Sequence, residues 1–151
     1  MILDKFNTFL DNAALSTAAT GLALIGDVID LGSNAKALND VENAYLVIIV
    51  RASVTSSAAA SVEFQLVSDA QAAIAVDGSA TVHWKSGVLP KATLVAGYEV
   101  AVVPLPKGIP QYERYLGLLQ NVSTTALTAG AITAGITQTP STWTAIADGV
   151  N

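Results

Sequence analysis

The order of hydrophobic and polar residues along the chain predicts a protein built from short β-strands. Residues 44–54 form a long run rich in β-branched and other apolar side chains, interrupted by Arg51 and Ser53, which is typical of a strand buried on both faces. Over residues 61–66, Val62, Phe64 and Leu66 alternate with Glu63 and Gln65. This alternation predicts a strand whose polar residues face outward. Further strands are predicted over residues 28–32, 80–85, 98–103, 115–122 and 129–137.

Turn and loop residues separate these runs. Asp77-Gly78 and Ser86-Gly87 favour tight turns. Residues 104–111 hold Pro104, Pro106 and Pro110, which predicts a loop with a restricted backbone. Residues 16–26 indicate a weak strand or a loop, and residues 70–76 either a helical turn or a short strand. Roughly seven to nine short strands at this spacing predict an all-β antiparallel sandwich or barrel.

The two termini differ from the β-rich middle of the chain. The apolar residues of the first fifteen positions lie close to a helical stripe, and an extended arm with aromatic anchors explains them equally well. We therefore divide the chain into an extended or short helical N-terminal arm (1–15), a β-sandwich domain (16–140) and a C-terminal tail (141–151). Deleting residues 1–10 should weaken attachment to a partner through the arm while leaving the fold intact.

Composition narrows the function classes. The chain has 151 residues, of which 52% are hydrophobic and 13% charged, with a formal net charge of −5. Its seven Lys and Arg residues are scattered, which argues against direct nucleic-acid binding. The apolar run 46–50 is too short to cross a membrane, and the first residues lack the pattern of a signal peptide. A mean hydropathy of +0.51 indicates apolar surface that a partner or a second copy covers.

Few residues are available for chemistry, since the chain has one histidine and no cysteine. We expect no catalytic residue, no cofactor and no metal site, and we interpret His83 as a solvent-facing or interface residue. Glu63, Glu99 and Glu113 are interpreted as residues on the wet face of a sheet. A small hydrolase that uses His83 or a carboxylate pair remains an alternative. A carbohydrate-binding jelly-roll adhesin on a virion or cell surface is another, with its aromatics as a sugar platform.

Four stretches carry a resemblance to a known family. They are Met1-Ile2-Leu3-Asp4 followed by Val28-Ile29-Asp30-Leu31-Gly32; Val62-Glu63-Phe64-Gln65-Leu66 with Val67-Ser68-Asp69; Leu94-Val95-Ala96-Gly97 before Leu105-Pro106; and Tyr112-Glu113-Arg114-Tyr115-Leu116-Gly117-Leu118 before Ala129-Gly130-Ala131-Ile132-Thr133-Ala134. In this order they resemble the cement (decoration) proteins of tailed-bacteriophage capsids, among them the jelly-roll cement protein of the Bordetella tropism-switching phage.

The resemblance implies a jelly-roll β-sandwich on the outside of a phage head. Such a protein is made in the host cytoplasm, binds the major capsid protein, and forms homo-oligomers, with dimers expected over trimers. No membrane partner is implied. The candidate contacts with the shell or with a sister subunit are apolar anchors of the arm, residues of the rigid loop, and hot-spot residue types; they are Ile2, Leu3, Phe6, Phe9, Pro104, Pro106, Pro110, Tyr112 and Arg114.

Overall fold

The computed structural model describes residues 5–138, apart from residues 16, 18, 34–37 and 39–42. Within these residues a 3-10 turn, Lys5–Asn7, is followed by nine strands. They are β1 (Thr8–Ala14), β2 (Gly21–Asp30), β3 (Tyr45–Ser56), β4 (Ser61–Asp69), β5 (Thr81–Lys85), β6 (Leu89–Pro90), β7 (Glu99–Pro104), β8 (Tyr115–Ser123) and β9 (Leu127–Thr137).

The strands form two antiparallel sheets with jelly-roll connectivity. The first sheet has the order β1-β9-β3-β7, and the second has the order β2-β8-β4-β5 with the short β6 also paired to β4. The chain therefore changes sheet at β1 to β2, β2 to β3, β3 to β4, β6 to β7, β7 to β8 and β8 to β9. This is the double Greek key of a jelly roll, and the predicted all-β sandwich is confirmed.

The central strands supply the core, as their sequence pattern predicts. Leu46, Ile48 and Val50 of β3 pack between the sheets, and Val47 and Ile49 are equally buried on the opposite face. The prediction of a strand buried on both faces is thus confirmed over residues 46–50, whereas Ala52 and Ser53 in the second half of β3 are exposed. Val62, Phe64 and Leu66 of β4 also point into the core and are fully buried.

The outer face of the second sheet is less exposed to solvent than its polar residues suggest. Residues 70–80, which connect β4 to β5, form neither the helical turn nor the short strand that was predicted. They instead place Ile74 and Ala80 over Val67 and Leu119 in a second apolar cluster. Gly117 makes room for Ile74, because a Cβ at that position would overlap Ile74 Cδ1.

Two consequences follow for the polar residues of β4. Gln65 is only 5% exposed, although alternation places it on the outer face. Its side-chain amide donates to Glu63 Oε1 at 2.7 Å, and Glu63 lies 3.5 Å from Lys85 Nζ. Glu63 itself is only partly exposed. At this point of the sheet, the residues predicted to face solvent, Glu63 and Gln65, therefore form a largely covered, hydrogen-bonded pair.

The N-terminal segment is extended and belongs to the sandwich. After the 3-10 turn, β1 pairs with β9 from Thr8↔Gly135 to Ala14↔Ala131 as an edge strand of the first sheet. Of the two predicted alternatives for residues 1–15, the extended one holds over Thr8–Ala14. No helix in the described part of the chain is long and apolar enough to span a membrane.

Candidate functional site

One end of the sandwich gathers several features that its sequence marks as candidate contacts. We call it the loop end, and it comprises the 3-10 turn Lys5–Asn7, the connection 70–80 and the connection 105–114 between β7 and β8. Strand pairing defines it, because Tyr45 at the start of β3 pairs with Pro104 and with Thr137. In the other sheet, Tyr115 at the start of β8 pairs with Asp30 and with Asp69.

The connection 105–114, hereafter the proline loop, closes the sandwich at this end. Its two flanks are buried, since Leu105 and Tyr112 both belong to the main core cluster. The Leu105 N–H donates to the Ala44 carbonyl at 2.8 Å, which ties the first flank of the loop to the residue that precedes β3. The loop is thus fixed where it leaves the first sheet and again before it joins the second.

Tyr112 holds the second flank by two contacts. Its ring stacks on the imidazole of His83, with ring centroids 4.0 Å apart and planes 24° apart. Its hydroxyl donates to the Pro106 carbonyl at 2.8 Å, so the hydrogen bond closes the loop on itself. Burial raises the pKa of Tyr112 to about 12.

A polar cluster beneath Tyr112 fixes the start of the second sheet. Ser68 Oγ lies 2.7 Å from His83 Nε2 and accepts the Glu113 N–H at 3.0 Å. Thr81 donates to Glu113 Oε1 at 2.6 Å. These contacts join β4, β5 and the proline loop, and they hold the loop where the two sheets meet.

An exposed ion pair completes the attachment of the proline loop. Arg114 donates from Nε and Nη2 to the two carboxylate oxygens of Asp30, each at 2.9 Å, and its guanidinium lies 5.0 Å from the centre of the Tyr115 ring. The Arg114 hydrogen bond, with a contribution from the Gly32 N–H, lowers the pKa of Asp30 to about 2. Because both side chains are exposed, the pair orients the loop and adds little stability.

The part of the proline loop between its flanks is exposed. Lys107, Gly108, Ile109, Pro110 and Gln111 form this tip. Ile109 is 98% exposed, which is the highest value among the large hydrophobic residues that the structure describes. An aliphatic side chain therefore stands in solvent on a loop whose base is firmly held.

The 3-10 turn adds a second exposed apolar residue to the loop end. Phe6 is 83% exposed, while Phe9, three residues later, is 2% exposed and belongs to the core. Two phenylalanines that the sequence presents as equal anchors thus have different roles.

Comparison with known proteins places the chain in a family. The Bbp16 family model matches residues 13–136, which is well over half of the chain. The chain belongs to the Bbp16 family. The family name is consistent with a Bordetella phage protein. No curated protein matches the chain.

The structure places the predicted contact residues of this Bbp16-family chain in three groups. Phe6, Pro110 and Arg114 are exposed at the loop end, and Pro104 and Pro106 frame the proline loop. Phe9 and Tyr112 are buried, so they support the surface and do not form it. Ile2 and Leu3 lie outside the described residues.

The sequence did not mark Ile109 as part of the loop end, and it gave no sign of the ring that contacts His83. Ile109 is a single apolar residue between Gly108 and Pro110, so it belongs to no periodic pattern. Its exposure follows from its position in the loop. His83 was interpreted as solvent-facing or as an interface residue, but it is half-buried and stacked on Tyr112. His83 and Tyr112 come into contact only in the folded protein, because the proline loop brings the Tyr112 ring onto β5.

The Ser68–His83 pair has the residue types of a nucleophile and its base, but its surroundings differ from those of an active site. Ser68 is fully buried and its Oγ already accepts the Glu113 N–H. A nucleophile must reach a substrate carbonyl, and this hydroxyl is enclosed. The contact between the two side chains links β4 to β5. No group of three or more acidic, histidine or cysteine residues in the described part of the chain is arranged to hold a metal ion.

His83 predicts a pH dependence of stability. Burial lowers the pKa of His83 below its usual 6.5, and the Glu113 carboxylate opposes this shift in part. Between the folded pKa and 6.5, the unfolded chain binds a proton that the folded chain does not. The free energy of unfolding should therefore fall as the pH is lowered through this window.

Urea unfolding of the wild type and of His83→Gln, at about pH 7.5 and about pH 5, checks this prediction. The variant cannot titrate at this position, so its loss of stability between the two pH values should be smaller than that of the wild type. An equal loss in both proteins would show that His83 does not couple protonation to folding.

Proposed function

We propose that the chain is a capsid cement protein that binds the outside of a phage head and stabilises contacts between major capsid protein subunits. The observation that carries this proposal is the convergence at the loop end. Phe6 and the proline loop come from distant parts of the sequence, and both lie at one end of the sandwich. Exposed apolar residues on a firmly held surface are typical of a protein contact site.

The family and the fold support the same function. Membership of the Bbp16 family is consistent with a phage protein, and the jelly roll agrees with the fold that the cement-protein resemblance implies. A protein of this kind binds a repeating lattice in many copies, so modest contacts gain strength when copies associate with one another. We therefore also propose that it forms homo-oligomers on the shell.

The aromatic residues give the adhesin alternative little support. Tyr112 is buried, and Trp84 and Tyr98 pack against the core. A sugar platform needs several aromatic faces open to solvent, and these three residues do not offer one. Trp143 lies outside the described residues.

The proposal predicts saturable binding to phage heads. Purified heads that consist of the major capsid protein, and that lack this chain, are titrated with the full-length protein and sedimented. We expect a fixed number of copies per head at saturation and a higher temperature of head disruption when the sites are filled. The absence of co-sedimentation would contradict the proposal, and binding to a glycan array in its place would favour the adhesin.

A further inference from the structure

We propose that residues 1–4 fold over the outer face of the first sheet, where Ile2 and Leu3 cover Val47 and Ile49 of β3. The contact is made within one chain, so it does not depend on the proposed function. Two features of the described residues support it. One is the burial of Val47 and Ile49, and the other is the path of the 3-10 turn across β9.

Val47 and Ile49 are enclosed on a face that the core between the sheets does not cover. Both are 0% exposed, and together they form an apolar cluster separate from the main core. In the part of the chain that the structure describes, no other apolar side chain belongs to this cluster or packs against it. The outer face of an antiparallel sheet ordinarily meets water. A further segment therefore lies over these two side chains, which we call the covered patch.

The covered patch has clear limits on the sheet. Arg51 of β3 is half-buried, and Ala52 and Ser53 after it are exposed. Val102 of edge strand β7 pairs with Val47 and is 38% exposed. The covering segment therefore does not arrive across β7 or from the opposite end of the sandwich. It comes from the loop end or from the side of β1.

The 3-10 turn leads the residues before it toward the covered patch. Gly135 of β9 pairs with Val47, so both positions face the same side of the sheet. The Asn7 carbonyl oxygen lies 2.8 Å from the place that a Cβ on Gly135 would take. The chain before β1 thus passes over the outer face of β9, the strand between β1 and β3. Val47 is one strand further, about 4.8 Å away, and each residue of an extended segment spans about 3.3 Å.

Chain direction and composition favour residues 1–4 as the cover over residues 139–151. Strand β9 runs toward the loop end, so the chain after Thr137 has to reverse to reach Ile49, which pairs with Thr133. Residues 138–142 also include no large apolar side chain. Ile2 and Leu3 lie on the path that already crosses β9, and they supply two aliphatic side chains for two aliphatic partners. In this arrangement they are withdrawn from contact with other proteins.

The first test measures the access of solvent to single methyl groups. The full chain and a variant that lacks residues 2–4 are prepared with labelled isoleucine and valine methyl groups, and NMR spectra are recorded with a soluble nitroxide. We expect the deletion to cause loss of the Val47 and Ile49 methyl signals, while Ile48, which packs in the main core, keeps its signal. The variant should fold, because β1 begins at Thr8 and retains Phe9.

A chain truncated after residue 138 is the matched control and should keep both outer methyl signals. If Val47 and Ile49 stay protected when residues 2–4 are removed, the inference is overturned. Loss of protection in the truncated chain alone would assign the cover to residues 139–151.

The second test leaves every segment in place. The chain has no cysteine, so Leu3→Cys and Val102→Cys can be combined and treated with a short thiol-reactive cross-linker. We expect a cross-link within the monomer. Val88→Cys in place of Val102→Cys is the control and should give none, because Val88 is exposed and precedes β6 at the opposite end of the sandwich. A covalent dimer would assign residues 1–4 to a second copy, and it would overturn the contact within one chain, as would the absence of any product.

Discussion

Replacing Phe9 by alanine should lower the free energy of unfolding by about 3–5 kcal/mol. Phe9 is one of the largest fully enclosed side chains of the protein, and it lies on edge strand β1, which pairs only with β9 within the first sheet. The substitution removes the apolar contacts of the ring and leaves a cavity that the surrounding strands fill only in part. Urea unfolding followed by circular dichroism measures the loss.

Phe6→Ala is the matched control for this prediction. The same residue type is removed three positions earlier, but Phe6 is 83% exposed, so the change in stability should stay within about 0.5 kcal/mol. Equal effects of the two substitutions on stability would contradict the assignment of Phe9 to the core and of Phe6 to the surface. The burial of Phe9 and Leu10 also changes the expectation for deletion of residues 1–10, which should unfold the protein, since it removes three of the seven residues of β1, two of them in the core.

Gly26→Ala should destabilise the protein by about 2–5 kcal/mol. Gly26 has a φ of +73° and sits where the register of β2 against β8 shifts, between Ile25 and Ile29. An added Cβ would overlap the Phe9 carbonyl oxygen and approach the Leu10 side chain. This glycine therefore lets β2 of one sheet pass closely over β1 of the other, and a side chain there would push the two sheets apart.

Gly87→Ala separates the steric overlap from the backbone strain. Gly87 has nearly the same φ, +72°, but a Cβ there would meet no atom within 4 Å. Its substitution should cost about 1–2 kcal/mol, from the left-handed backbone alone. Thermal melting of both variants gives the comparison. If Gly26→Ala costs no more than Gly87→Ala, the close approach of β1 and β2 does not constrain the fold.

The strands could be predicted because their signals are local. The apolar run 44–54 specifies a strand, and the alternation at Val62, Phe64 and Leu66 specifies a strand together with its inward face; both strands are confirmed. The prediction of a helical turn or short strand over residues 70–76 was wrong because their apolar residues pack on the outer face of the second sheet. No local sequence pattern indicates that contact. Ile74 needs Gly117, which is more than forty positions away, to find its place.

The candidate site was predicted in outline and not in detail. The prolines identified the rigid loop, but nothing local distinguishes buried Tyr112 from exposed Ile109. The same holds for Phe6 and Phe9. Whether an apolar residue forms a contact surface or a core depends on which strand lies across from it, and this is set by pairings between distant segments such as Thr8↔Gly135.

The sequence by itself determined that the chain is all-β, poor in reactive side chains and acidic, because composition and period-two patterning act within short segments. Only the tertiary structure decided which residues meet at the loop end. Residues 6, 83 and 109 are brought to one end of the sandwich by the crossing connections of the jelly roll. Those connections are fixed by the packing of two sheets into one core, a cooperative choice that no single segment encodes.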